Sequence, residues 1–466
     1  MNAIPAVELD EDGTVLRDEV IFDAKQREAI DICINPRNRI ASVTGSAGTG
    51  KTTIIKTVAE IFEAEDRSVI CCAPTGKAAR RIREATGLYA VTIHKLLEFP
   101  KPHERDEKTG QALKQGLPKR HKGNPISQAV VLCDEYAMVN HAINRQLIDA
   151  LPNGGLLRCF GDINQLPPIE EYKIQAEGYE LTPFQSHLKT FPSVVLDRVY
   201  RQGEGSGIFL NAGGIVRGIL PKKLDDFDII FTGMPTNKIE ELAYRLAHKY
   251  KTINNQIIVT GNKGWIGTYE LNQRVQCVVN PDPPKAFDPP RQKWHQDKAI
   301  SIGLGDKVVC TENTYDTRDY FERYSQFDEN GDPLQHSYID PPDACVMLNG
   351  EIGIVVDIET NAQEVEAVTI DFGDREVRVP YMIHEKNPHN NSIYQTSHLK
   401  QLDLGYVLTT HKCQGSEFEE VIYVLNKSSK YSQGRKNLYT AVTRARKQVT
   451  VITDSTSLSY SMWKQQ

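Results

Sequence analysis

Apolar positions along this chain change their spacing several times, and each change marks an element. From Phe22 to Ile34 they recur at helical spacing, with Phe22, Ala29, Ile30 and Cys33 near one face. Arg39 to Thr44 (RIASVT) is a short run of the kind that fills a buried strand. A glycine-rich turn follows, then a helix from Thr52 to about Glu63. Ser68 to Ala73 (SVICCA) is a second strand that stops at Pro74, and another helix begins at Lys77. Strand, turn and helix in alternation predict a parallel α/β sheet.

The alternation stops between Pro100 and Pro125 and resumes with the apolar run Ala129 to Cys133. A fresh α/β pattern starts after Arg201, with a helix through Glu240 to Tyr250 and a strand at Gln256 to Thr260. Residues 280–345, rich in Pro, Asp and aromatics, read as irregular. Short β-like runs between Gly353 and Val379 (IGIVVDI, EAVTIDF, EVRVP) suggest a small barrel. Strand patterns return at Val421–Leu425 and Val449–Thr453, with a helix from Lys436 to Arg446 between them. No internal repeat of fixed period is present.

Composition narrows the class. A length of 466 residues suggests about three domains. Fifty-five Lys plus Arg against 61 Asp plus Glu leave a formal charge of −6, which excludes a polycationic coating protein. Any nucleic-acid surface is then a local patch, and residues 100–125, with seven Lys/Arg and three Asp/Glu, are one such stretch. Uncharged runs reach only about a dozen residues, short of the roughly 18 a membrane span needs. Residues 1–20 read as a flexible acidic lead with no apolar core, so no signal peptide is expected. Nine cysteines without a C-x-x-C pair argue for buried free thiols in a reducing, cytoplasmic setting, bacterial or in a phage-infected host.

The chemistry concentrates in two segments. Gly45, Ser46, Ala47, Gly48, Thr49, Gly50, Lys51 and Thr52 match the phosphate-binding pattern G-x-x-x-x-G-K-[ST], with a strand before and a helix after, and Thr53 beside them counts with the nucleotide site. Glycines allow the tight turn whose N–H groups and helix terminus surround phosphate oxygens. Lys51 would neutralise the β- and γ-phosphates of ATP, and the Thr52 hydroxyl would face Mg²⁺. Asp134 and Glu135 close the apolar run AVVLC. Asp134 would hold the Mg²⁺ water shell, and Glu135 would take a proton from the attacking water. Alone, such a pair is as often a solvated strand cap.

The order of further segments resembles superfamily 1B helicases of the RecD/Dda type. These are Ala73-Pro74-Thr75-Gly76-Lys77-Ala78-Ala79, Thr92-Ile93-His94, Asp134-Glu135, Gly161 to Pro168 (GDINQLPP) and Tyr200-Arg201-Gln202. Two more follow, Leu408 to Phe418 (LTTHKCQGSEF) and Tyr439 to Arg446 (YTAVTRAR). The resemblance spans about residues 22 to 455. It implies an α/β fold of two RecA-like parallel-sheet P-loop domains, with a small inserted pin and an SH3-like β-barrel insertion. Residues 21–200 would form the first domain, with 96–128 as the pin. Residues 201–300 and 400–466 would form the second, and 301–399 the barrel.

The resemblance also assigns roles. Gln26 would read adenine, Gln165 would sense the γ-phosphate or its water, and Arg201 and Arg444 would neutralise the transition state across the cleft. Gly415 and Glu417 would touch phosphate and ribose. Pro74, Thr75 and His94 on the first domain, and Thr409, His411 and Lys412 on the second, would track single-stranded DNA by its phosphates. His94 could instead be a core histidine, and Arg201 and Arg444 surface ion pairs. Tyr315, Tyr320, Phe321 and Tyr324 could stack bases or pack the small domain. The implied activity is an ATP-dependent helicase moving 5′→3′ on single-stranded DNA and opening junctions, in replication, recombination or repair, with a monomer able to work. A translocase that displaces proteins with little unwinding, an ATP-gated DNA-binding module and an RNA-directed ATPase are the alternatives.

Overall fold

The computed structural model describes residues 22–100, 117–168, 181–200, 206–232, 235–245, 249, 252–289, 300–315, 345–361, 364–381, 383–386, 393–425 and 434–463. The first sheet has six parallel strands. They are β1 (Ile40–Gly45), β2 (Val69–Ala73), β3 (Ala90–Thr92), β4 (Val130–Cys133), β5 (Leu156–Gly161) and β6 (Ser193–Leu196), in the order β3-β2-β4-β5-β1-β6. Its inner strands β1, β4 and β5 are buried along their whole length instead of alternating, as expected for a parallel sheet covered on both faces. Helices α1 (Ala24–Ile34), α2 (Lys51–Ala64) and α3 (Gly76–Thr86) contribute Ala29, Ile54, Val58, Phe62 and Ile82 to a core built on Val43, Leu132 and Phe160. The four helical positions expected on one face, Phe22, Ala29, Ile30 and Cys33, are all buried. Because β5 lies between β1 and β4, the turns that follow these three strands meet at one edge of the sheet. Ligands of parallel α/β sheets bind at this carboxyl edge.

The second parallel sheet is ordered Val407–Thr409, β8 (Asn255–Val259), Phe418–Leu425, Ala445–Thr453 and β7 (Phe227–Phe231). Between its strands the chain makes a five-stranded antiparallel sheet, ordered Glu376–Pro380, Glu364–Asp371, Ile352–Asn361, Lys307–Cys310 and Leu402–Leu404. Leu402–Leu404 therefore pairs with the inserted sheet, although it lies beyond the expected boundary at 399. Its apolar–acidic–apolar alternation suits a half-buried antiparallel strand.

Two helices differ from their sequence expectation. The one expected over 240–250 includes Pro235–Arg245 and so extends further toward the N-terminus. The one expected to reach Arg446 ends at Val442, with Thr443 as its cap, and Ala445 already belongs to the next strand. No helix among the described residues is long and apolar enough to cross a membrane. Seven of the eight described free cysteines are buried, and Cys277 is exposed.

Candidate nucleotide and DNA site

The turn after β1 wraps around its own backbone. Gly48 and Gly50 sit at φ +81° and +88°, a region that favours glycine, and Gly50 caps the start of α2. Gly45 is needed for space: a Cβ there would lie 2.6 Å from Thr49 Oγ1 and 2.9 Å from Leu196 Cβ. The Lys51 ammonium folds over the turn and donates to the carbonyls of Gly45 (2.7 Å) and Ser46 (2.8 Å). Thr49 donates to Ser46 O at 2.9 Å. Thr52 and Thr53 follow Lys51 in the first turn of α2, where helix N–H groups are free to meet an anion.

Gln26 is buried and braces the same loop. It completes a capping box with Asp23, and its Nε2 donates to Thr49 O at 3.1 Å. The Tyr200 backbone N–H reaches Gly48 O at 2.8 Å, and its hydroxyl donates to Asp23. Arg201, Tyr320, Phe321 and Tyr324 lie outside the described residues.

Asp134 and Glu135 end β4 beside the loop. The Glu135 N–H donates to Asp134 Oδ1 at 2.8 Å. Burial and the adjacent Glu135 carboxylate push the Asp134 carboxyl up, while Lys51 opposes the shift. Glu135 adopts φ +51°, a left-handed backbone costly for a residue with a Cβ. After β5, burial likewise raises Asp162, with Lys51 and the Tyr439 hydroxyl opposing. Gln165 lies beside Asp162 (3.5 Å from Nε2 to Oδ2), and its buried Oε1 has no hydrogen-bond partner among the described residues. A buried acceptor without a donor is rare in folded proteins.

The second half closes on this edge. Tyr439 donates to Asp162 Oδ2 at 2.7 Å, the Leu166 N–H donates to Thr440 Oγ1 at 2.9 Å, and Gln414 Nε2 donates to Leu166 O at 3.0 Å. Between the halves lies a cavity of about 280 Å³, lined by Gly45, Ser46, Ala47, Asn164, Glu417 and Tyr439 among others. Glu417 is almost fully buried and is held by Arg81 of α3 and by Arg446 (2.8 Å). Arg444 is buried, so it is not a surface ion pair. It donates to the carbonyls of Thr440 (3.0 Å) and Ser416 (3.2 Å) and to the Thr443 hydroxyl.

Along the first sheet, Pro74 and Thr75 follow β2, and Thr75 Oγ1 caps α3 by accepting from Ala78 N at 3.2 Å. His94 is exposed and lies against Phe99, 4.8 Å between ring centres, which excludes a core histidine. On the second sheet, Thr409 ends its strand and accepts from Lys412 N at 3.3 Å. Burial lowers the pKa of both His411 and Lys412. Gly415, at φ +76°, faces Ala78 and Thr75 at the start of α3, so the two candidate DNA-contacting segments adjoin.

Residues 101–116 of the expected pin lie outside the described residues, but the ends of that insertion meet. The N–H groups of Lys119 and Arg120 donate to Glu98 O (3.3 Å) and Leu97 O (3.2 Å), and Arg120 pairs with Glu98 at 2.5 Å. Sequence reasoning missed Asp162, Tyr439, Thr440, Gln414 and Arg81 as site residues. Four of these, all but Arg81, stand inside quoted motifs, but nothing local marks them as partners across the two sheets.

Residues 26–171 match the AAA domain family, and residues 404–452 match the UvrD-like helicase C-terminal domain. The chain is 28% identical over 418 residues to an ATP-dependent RecD2 DNA helicase of Deinococcus radiodurans, covering 88% of this chain and 46% of that one. It is 24% identical over 484 residues to the RecBCD enzyme subunit RecD of Mycobacterium tuberculosis, covering 94% and 70%. It thus spans about half the length of the RecD2 relative. In fold it is similar to the Bacteroides Pif1 helicase crystallised with ADP-AlF3 and single-stranded DNA. The TM-score is 0.52 at 18% identity, over 95% of this chain and 94% of that one. Over most of its own length the chain is thus similar to helicases of the RecD type.

Proposed function

We propose that the chain is an ATP-driven DNA helicase that moves 5′→3′ along single-stranded DNA and separates duplexes. The observation that carries the reading is the seam at Asp162–Leu166. This one turn is under the influence of Lys51 and Glu135 on the first sheet and bonds Gln414, Tyr439 and Thr440 of the second. A change at the phosphates is therefore felt by both halves, and both carry candidate DNA contacts. A grip that differs between two cleft states moves the chain along a strand with each cycle.

In this reading the loop Gly45–Thr53 holds ATP phosphates, and Gln26 fixes the loop and meets adenine. Glu135 takes the proton of the attacking water. Gln165 accepts a hydrogen bond from that water through its unpartnered Oε1. Arg201 and Arg444 serve the transition state, and Gly415 and Glu417 line the nucleotide's second side. The Thr52 hydroxyl and the Asp134 carboxylate, both oxygen donors, would hold Mg²⁺, which would offset the charge of the phosphates. Pro74, Thr75, His94, Thr409, His411 and Lys412 hold the DNA backbone. The insertion whose ends meet at Glu98 and Arg120 forms the pin, and the inserted antiparallel sheet is the SH3-like barrel. A reducing cytoplasm suits the buried thiols.

The test is ATPase measured with single-stranded DNA, duplex DNA and RNA, beside strand displacement. DNA-stimulated hydrolysis with displacement is expected. Stimulation by RNA alone, or stimulation without displacement, favours one of the alternative readings.

A further inference from the structure

Consecutive arginines of α3 hold two different bodies. Arg80 donates to Glu351 Oε1 at 2.6 Å and also pairs with Asp374, both on the inserted sheet. Glu351 is fixed in turn by Arg375 (2.8 Å) and by the Leu348 N–H (2.9 Å). Arg81 turns the other way and pairs with Glu417 of the second sheet. Burial opposes the charge on Arg81, while Glu417 and, more weakly, Glu135 and Asp134 favour it, so carboxylates of both halves act on this cation. Arg446 shares Glu417, at 2.9 Å from its Nε.

Arg81 belongs to the helix that begins at Thr75, the candidate DNA contact. Gly415 faces Thr75 and Ala78, and Lys77 lies 5.9 Å from the Phe418 ring centre. The segment from Thr409 to Phe418 is therefore held along the first turns of α3, with Glu417 at its nucleotide end and Thr409–Lys412 at its other end.

We propose that Arg81 is the positioning residue that couples the nucleotide cleft to the DNA grip. It holds Glu417 in register with the Asp134–Glu135 edge and draws the start of α3 along with it. The inference rests on the helicase reading. An arginine suits the role because its planar fork can engage two carboxylate groups at once, whereas a lysine presents a single point charge. Anionic phosphates arriving near the Asp134–Glu135 edge change the field at the guanidinium that Glu417 holds, so nucleotide alters the clasp between halves. Coupling of this kind is reciprocal: nucleotide changes DNA affinity by the same factor as DNA changes nucleotide affinity.

The experiment measures the dissociation constant of a fluorescein-labelled oligo-dT by anisotropy, on the full chain, with and without magnesium and AMP-PNP. The coupling is the ratio of the two constants, typically about 5- to 150-fold where two sites communicate. Arg81→Gln should bring the ratio close to one, and Arg81→Lys should restore part of it. Glu417→Gln should lower the ratio, and the double variant should be no worse than Arg81→Gln, the mark of two residues acting as one contact. Arg80→Gln loosens the same helix from the inserted sheet and should keep the wild-type ratio. A wild-type ratio retained by Arg81→Gln overturns the inference alone, as does an equal collapse in Arg80→Gln. If Arg81→Gln fails to fold, a wild-type ratio in Glu417→Gln overturns it. A wild-type protein that does not bind DNA, or binds it without regard to nucleotide, overturns the helicase reading itself.

Discussion

The Tyr439 hydroxyl donates to Asp162 Oδ2 at 2.7 Å and joins the two parallel sheets at a buried carboxylate beside the phosphate loop. A hydrogen bond to a charged group is worth about 1.5–3 kcal/mol, and removing its donor leaves the charge under-solvated. Tyr439→Phe keeps the ring and deletes that donor. DNA-stimulated ATPase should fall by about tenfold or more, and the melting temperature should drop by a few degrees. A turnover equal to the parent's would show that this contact does not help to close the cleft.

Glu135 combines a left-handed backbone with a carboxylate that raises the Asp134 pKa. Strain kept at a catalytic position is released when the residue is replaced by glycine. Glu135→Gly should gain about 1 kcal/mol of stability in a denaturant titration while ATP turnover is lost. A less stable variant would mean that the Glu135 carboxylate, not the chain path, maintains this turn.

Much of the first sheet was legible because its strands are apolar runs bounded by glycine or proline, as at SVICCA before Pro74. The strand β5 was not, since Arg158 interrupts its pattern. That arginine is fully buried and donates to the backbone carbonyls of Cys33, Asn38 (2.8 Å) and Asn35 (3.3 Å), tying β5 to the end of α1. Burial pushes its guanidinium down to about 10. No local pattern announces a charge whose partners lie over a hundred residues away. The phosphate loop and its acidic pair were legible because their chemistry is local. The seam was not, because Tyr439 and Asp162 meet only when two sheets dock.

His187 supplies a pH dependence. It is buried against Tyr136 and Phe191, with ring centres 5.3 Å away in each case, and burial lowers its pKa to about 4. The unfolded chain takes up a proton near pH 6.5 that the fold refuses, so it binds more protons between about pH 6.5 and 4. Stability should therefore fall as pH drops through that window, by up to roughly 3 kcal/mol from this group. His187→Phe should flatten the fall in a series of thermal melts. An unchanged slope would remove His187 as its source.

The paired ends of the 101–116 insertion give a further test. Replacing residues 102–116 with a short Gly/Ser linker should leave DNA-stimulated ATPase within a few-fold of the parent and abolish strand separation. A solvated basic loop would instead weaken DNA binding, with unwinding regained at low salt. Full unwinding by the deletion protein at saturating DNA would rule out a pin.

The central claim is directional, ATP-driven strand separation, and one measurement reaches it most directly. Duplexes carrying a single-stranded tail at either the 5′ or the 3′ end are mixed with protein, ATP and magnesium, and strand release is followed with time. Lys51→Ala, which removes the ammonium folded over the glycine-rich turn and no core volume, serves as the blank. The account predicts release from the 5′-tailed duplex, none from the 3′-tailed one, and none with Lys51→Ala. Release confined to the 3′-tailed duplex, or equal release with Lys51→Ala, would contradict it.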